Sequence, residues 1–273
     1  MTAKLPEQAL EGGKLSSVVR IGDTVRRPVG PWTPAVHALL HHLEEHGFKQ
    51  APRALGTDEN GREILSFIPG TTVGASRPWP RWVWHDAILS KTGRWLREYH
   101  DTVRDFREPA GSTWRMSWAQ QRSDEIICHF DVAPYNLVLT PNDEIAFIDW
   151  DVAAPGTALL ELAKVANSFA PVYDVETRAQ LNFSEGELNP AMLASCVHRI
   201  RVLLDAYGLD ERGGFVSAML DAAHHTHQRI HRGAREGDVA LEQLIESGLV
   251  DHVLETRKLF ESYLEPLQLG IEA

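Results

Sequence analysis

The chain has 273 residues and a formal net charge of −11 at neutral pH, so long-range repulsion from phosphate backbones speaks against a nucleic-acid partner. Hydrophobic residues make up 43% and charged residues 24%, an ordinary globular balance, and no run of about twenty apolar residues is present to cross a bilayer. The opening MTAKLPEQALEGGK lacks the basic-then-apolar order of a signal peptide, and Cys128 and Cys196 belong to no C-x-x-C pair, which predicts reduced, packed thiols in a cytoplasmic protein.

In chain order, KLSSVVRI (14–21) and TVRR (24–27) are β-like and flank Gly22-Asp23, a hairpin-turn pair. Thr33 is expected to cap a helix with Pro34 at its first position; Leu39, Leu40 and Leu43 mark its buried face and Gly47 its end. Asn60-Gly61, inside RALGTDENGREILSFIPG (53–70), predicts a second hairpin. PGTTVGASRPWPRW (69–82) reads as a junction between lobes. Trp79, Trp82 and Trp84 are expected to pack there, with an aromatic wall for a cationic ligand as the alternative. Apolar recurrence at Ile88, Leu89, Trp95, Leu96 and Tyr99 predicts a long helix over 85–105. Three short strand-like pieces, IIC, NLVL and IAFI, precede helices expected at 157–168, 189–207, 211–232 and 238–264. The class is α+β, bilobal: a small antiparallel β lobe with one helix over 1–69, and a larger, mainly helical lobe over 70–273 carrying a short β insertion.

That insertion holds the polar residues. HFDVAPYN (129–136) places His129, Asp131 and Asn136 on a loop between apolar strands, and Asp149 ends the next strand in IAFIDWD. A hairpin turning at TPNDE (140–144) brings Asn136 and Asp149 to one end, where hard oxygen donors suit Mg²⁺. Ordinary turn residues bonding their own backbone are the competing reading. His224, His227 and His231 lie along one helical face that could take a transition metal or remain a polar surface. No G-x-S-x-G or H-E-x-x-H sequence supports a hydrolase.

The order H-x-D-x-x-x-x-N followed by a hydrophobic strand ending in I-D resembles the aminoglycoside phosphotransferase and choline kinase group, whose loop reads H-G-D-x-x-x-x-N and whose fold is protein-kinase-like. The resemblance covers most of the chain. It implies transfer of the ATP γ-phosphate to a hydroxyl of a small acceptor. Asp131 would be the base, His129 a brace for the loop, and Asn136 and Asp149 the ligands of Mg²⁺. Glu161, in the place of a family aspartate, would support the loop. Backbone groups of Ser66, Phe67 and Ile68 would meet the adenine edge.

Departures from the family pattern lie in the small lobe. Where a lysine is usual, VRRP offers Arg26 or Arg27; strand alternation admits one of them to the cleft, and Arg26 is favoured. Val36 or His37 stands where the partner glutamate of the helix is expected, so the Lys–Glu pair is missing as a unit. EGGKLSS (11–17) offers only Gly12 and Gly13 as a phosphate-covering turn. These gaps favour the rival class, a non-catalytic nucleotide- or metabolite-binding module on the same fold. Glu185, Glu187, Asp205, Asp210 and Glu211 are candidates for surrounding an amine-bearing acceptor, or else solvated helix faces.

Overall fold

The computed structural model describes residues 6–10, 18–74, 77–115, 124–172, 175–183, 189–247, 250, 258 and 260–272. A five-stranded antiparallel sheet, in the order β1-β2-β3-β5-β4, forms the small lobe. Its strands are β1 (Gln8–Ala9), β2 (Val19–Ile21), β3 (Thr24–Arg27), β4 (Ala54–Thr57) and β5 (Glu63–Ser66). Gly22 (φ 60°) and Gly61 (φ 72°) make the two tight turns in the left-handed region that glycine enters without cost. Helix α1 (Thr33–Glu45) lies on the sheet with Val36, Leu39, Leu40 and Leu43 buried. Thr33 is its first helical residue rather than its cap: Trp32 holds the cap position, and Thr33 Oγ1 instead accepts the Gly30 N–H at 2.9 Å.

The junction is pinned to the large lobe by main-chain bonds. Thr71 and Leu139 exchange N–H···O contacts of 2.8 and 2.9 Å, and outside the junction Gln50 O of the small lobe accepts the Phe147 N–H at 3.2 Å. Trp79 is buried with Val73, Val83 and Leu181, and Trp82 and Trp84 pack on the same cluster. Helix α2 (Asp86–Thr102) follows, burying the Ile88, Leu89, Trp95, Leu96 and Tyr99 face read from the sequence. Gly93 lets it approach the later helix Pro190–Tyr207: a Cβ there would stand 2.7 Å from the Leu203 carbonyl oxygen.

Two small ladders carry the polar loop. β7 (Leu137–Leu139) pairs with β8 (Ile145–Phe147), as the turn at 140–144 predicts. β6 (Ile126–Cys128) pairs with β9 (Ala154–Gly156), a strand the sequence reading did not contain because APG carries a proline. Helices α3 (Ala158–Phe169), α4 (Val175–Gln180), α5 (Pro190–Tyr207), α6 (Phe215–Arg235) and α7 (Val239–Glu246) complete the large lobe with a last helix, Leu264–Glu272. The single helix expected over 238–264 is thus not observed: α7 ends at Glu246, and most of 248–259 lies outside the described residues. Cys128 and Cys196 are free and buried. Among the described residues no helix is long and apolar enough to cross a membrane.

Candidate active site

An aromatic box fixes the loop from below. Tyr99 on α2 donates its hydroxyl to Ile127 O at 2.8 Å, which ties the helix to the strand that leads into the loop. His129 is fully buried against Trp150, with ring centroids 4.4 Å apart, and its Nδ1 accepts the Asp131 N–H at 3.2 Å. Burial holds the imidazole below its ordinary pKa, so it stays neutral with its proton on Nε2.

Phe130 stands where the resembling family has glycine, and it takes φ 59°. A bulky residue in that region costs roughly 1–2 kcal/mol. Three contacts hold it. Its N–H donates to Glu161 Oε1 at 2.7 Å, its carbonyl accepts from Lys164 Nζ, and its ring lies over Gly156, where a Cβ would overlap it. Glu161 is itself fully buried and takes a 2.8 Å bond from His100 Nε2 on its other oxygen. Burial alone would raise its pKa, but the bonds from His100 and Phe130 and the nearby imidazoles bring it below the ordinary glutamate value.

Asp131 is clamped at both oxygens. Tyr135 Oη donates to Oδ1 and Asn136 Nδ2 to Oδ2, each at 2.7 Å, and the same Nδ2 reaches Asp131 O at 3.0 Å. Both acceptors are oxygens, so the amide nitrogen of Asn136 must face Asp131 and its Oδ1 must turn elsewhere. Ile148 N donates to Asn136 O at 3.0 Å, which brings the chain at Asp149 beside Asn136. Asp149 adopts φ 66° and is half exposed. A carboxylate and an amide oxygen at one hairpin end form a donor set that fits Mg²⁺.

The cation facing Asp149 is Arg27, and this corrects the expectation for Arg26. Pairing of β3 with β5 sets Arg27 opposite Glu63 and Arg26 opposite Ile64. Arg26 turns to Thr24 and Asp58 on the other face. Arg27 binds Glu63 through Nε, Asp149 at 3.1 Å and Asp151 at 2.6 Å. Burial opposes its charge, but Asp151, Glu63 and Asp149 outweigh burial and hold its pKa above the ordinary arginine value. His37 Nε2 meets Glu63 Oε1 at 2.8 Å. The position on α1 where a glutamate is usual therefore still joins the set, through a glutamate supplied by β5. Asp151 is pushed up to about 6, chiefly by burial and by Asp149 and Glu63, against the pull of Arg27.

Other expected positions fare unevenly. Gly12 and Gly13 lie outside the described residues. Ser66 N and Phe67 N donate to Arg53 O and Asp23 O, so of the three adenine-edge donors only Ile68 N is not taken by a described backbone acceptor. His227 and His231 lie with ring centroids 4.4 Å apart and planes tilted by 58°, while His224 bonds Gln228 at 2.7 Å. Among the described residues the group of three metal-type donors within 4.8 Å is His100, Cys128 and Glu161, not this face. Of the acids considered for an amine, Asp205 is paired with Arg212, Asp210 and Glu211 are exposed, and Glu185 and Glu187 fall outside the described residues. Tyr135, Glu63, Asp151, Lys164 and Arg229 were not singled out in the sequence. The second acid of I-D-W-D was the available signal in the sequence; Glu63 is set opposite Arg27 only by the pairing of β3 with β5.

A small antiparallel sheet with one helix, joined to a helical lobe that carries this loop and hairpin, is the protein-kinase-like fold. The model of the phosphotransferase enzyme family matches residues 76–194. The trifolitoxin immunity protein of Rhizobium leguminosarum bv. trifolii is 37% identical over 226 residues, which are 80% of this chain and 81% of that one. Among solved structures, the GDP complex of aminoglycoside 2'-phosphotransferase-IIIa superposes with a TM-score of 0.59 at 12% identity, covering 94% of each chain. Ethanolamine kinase of Plasmodium vivax superposes at 0.57 with 11% identity, over 97% of this chain and 84% of that one. The chain belongs to this phosphotransferase enzyme family and has the trifolitoxin immunity protein as a relative.

Proposed function

We propose that the protein transfers the γ-phosphate of ATP to a hydroxyl of a small acceptor, with Asp131 as the base. The acceptor oxygen would form a bond to the γ-phosphorus, the bond to the ADP oxygen would break, and the hydroxyl proton would pass to Asp131. The observation that carries this reading is the clamp on Asp131. Tyr135 and Asn136 hold both carboxylate oxygens, so the base is oriented before a substrate arrives. Asn136 Oδ1 and the Asp149 carboxylate would hold Mg²⁺, which supplies neutralisation of phosphate charge. Arg27 would grip phosphate oxygens in exchange for Asp149 and Asp151. Glu161 and His129 would keep the loop in place. Residues 1–69 would carry the nucleotide and 70–273 the acceptor. The relative's name speaks of immunity to trifolitoxin, which favours as acceptor a toxin that phosphorylation disarms. ADP release measured with Mg²⁺, ATP and pooled hydroxylated molecules tests this reading. Asp131→Asn should lower turnover by roughly 10²–10⁴-fold while nucleotide binding persists; turnover close to wild type would exclude the role.

A second reading, a nucleotide-binding module without turnover, is favoured by one observation: Arg27 is engaged by three carboxylates, and its glutamate comes from a strand. A melting shift with ATP that ignores Mg²⁺, together with no ADP release from any pool, would support it.

A further inference from the structure

Asp131 already holds a hydroxyl. The short turn Pro134–Asn136 buries Pro134 and Asn136 and leaves Tyr135 46% exposed. From there the phenol folds back four positions along the chain, and its Oη donates to Asp131 Oδ1 at 2.7 Å. The other carboxylate oxygen, Oδ2, takes the Asn136 amide at 2.7 Å. An acceptor alcohol that gives its proton to Asp131 must make the same contact, O–H to carboxylate at hydrogen-bond distance. Tyr135 therefore stands, in chemistry and in place, where the phosphotransferase reading puts the acceptor hydroxyl.

The surroundings of the phenol suit the product of transfer as well. The Tyr135 ring neighbours Trp79 at 6.4 Å between centroids, and the Arg77 guanidinium lies on Trp79 at 4.2 Å. Burial holds the Arg77 pKa below the ordinary arginine value, and the Tyr135 phenol pulls the other way. Among the described residues no carboxylate pairs with Arg77, so a phosphate on Tyr135 would meet a guanidinium able to grip it. On the loop's far flank Lys164 bonds the Phe130 carbonyl and Arg229 lies over the Phe130 ring at 5.0 Å. Those two cations hold the turn at Phe130.

We propose that Tyr135 is a phosphorylation site of the chain's own making: when no small acceptor is present, the γ-phosphate of ATP passes to Tyr135 Oη. This rests on the phosphotransferase reading. The bond from Oη to the γ-phosphorus forms, the bond from that phosphorus to the ADP oxygen breaks, and the phenolic proton goes to Asp131 Oδ1. The phosphotyrosine then carries about two negative charges and has no proton left to donate. It is repelled by Asp131, releases Oδ1 and turns to Arg77, so one half of the clamp on the base is lost. The competing account leaves Tyr135 as a brace that steers Asp131 and never takes phosphate.

The test incubates the full chain with γ-labelled ATP and Mg²⁺, with no acceptor added, and follows it by intact mass and by sequencing of the labelled peptide. A single phosphoryl group should appear on Tyr135, with a rate constant unchanged on dilution, because base and phenol belong to one loop. Tyr135→Phe should abolish the label, while its melting shift with ATP and Mg²⁺ shows that it is folded and loaded. Asp131→Asn should slow labelling roughly 10²–10⁴-fold. An unlabelled wild-type chain, a label on another residue in place of Tyr135, or a rate constant that rises with protein concentration would overturn the proposal. The parent reading is scored separately by ADP release with the pooled hydroxylated molecules. Release with Tyr135 unlabelled removes this proposal and leaves phosphotransfer standing, whereas no release and no label removes both.

Discussion

Arg27 holds three carboxylates at once, and replacing it exposes what each contributes. Arg27→Ala leaves Glu63, which is 1% exposed, with His37 as its remaining partner; stranding a buried carboxylate this way costs about 3–5 kcal/mol. Equilibrium denaturation should show that loss, and Arg27→Lys should recover part of it, because an ammonium keeps the charge but not the fork of donors that meets several acceptors together. The choice between Arg26 and Arg27 was not legible in the sequence. Alternation says that neighbouring strand residues face opposite ways, but it does not say which way. Pairing with β5 decides it, and that partner is 36 positions away in the chain. Asp131, Asn136 and Asp149 were legible because their spacing is local and a short hairpin joins them. Lys164 and Arg229 were not, since each reaches the loop from a helix whose own pattern gives no sign of it.

At the scale of elements, helices were read best where an apolar face and a terminal signal coincide. α5 starts one residue inside the expected 189–207, behind Asn189, whose Oδ1 accepts the N–H groups of Ala191 and Met192 at 3.0 Å each. Asn189→Ala should therefore cost about 1 kcal/mol of stability, seen as a lower melting temperature. β9 was missed because a three-residue strand containing proline has no periodicity to read; it exists because β6 lies alongside it. Across that ladder Gly156→Ala should destabilise by roughly 1–3 kcal/mol, the usual cost of overpacking. The same change in a Phe130→Gly background should cost much less, and a double-mutant cycle in urea measures that coupling.

For the whole molecule, acid sensitivity follows from Glu161. Its pKa is lowered in the fold by His100 and the Phe130 amide. The stabilisation is thus complete above the ordinary glutamate value of about 4.3 and is lost as pH falls through the lower, folded value. Urea midpoints taken from pH 7 downward should fall in that acid range. Glu161→Gln, less stable at pH 7, should show a shallower decline, so that the two curves approach at low pH. Because Glu161 holds the backbone of Phe130, loss of the loop's geometry should precede global unfolding, visible as earlier hydrogen exchange at the Phe130 amide than in α2.

The ring of Phe130 and the bare Cα of Gly156 also bear on ancestry. With a compact residue at 130 a small side chain at 156 would meet no ring, whereas beside Phe130 a Cβ at 156 overlaps the aromatic. Homologues that keep H-G-D should therefore vary freely at the second site, whereas those reading H-F-D should not. A search pattern that insists on glycine after the histidine would pass over this chain.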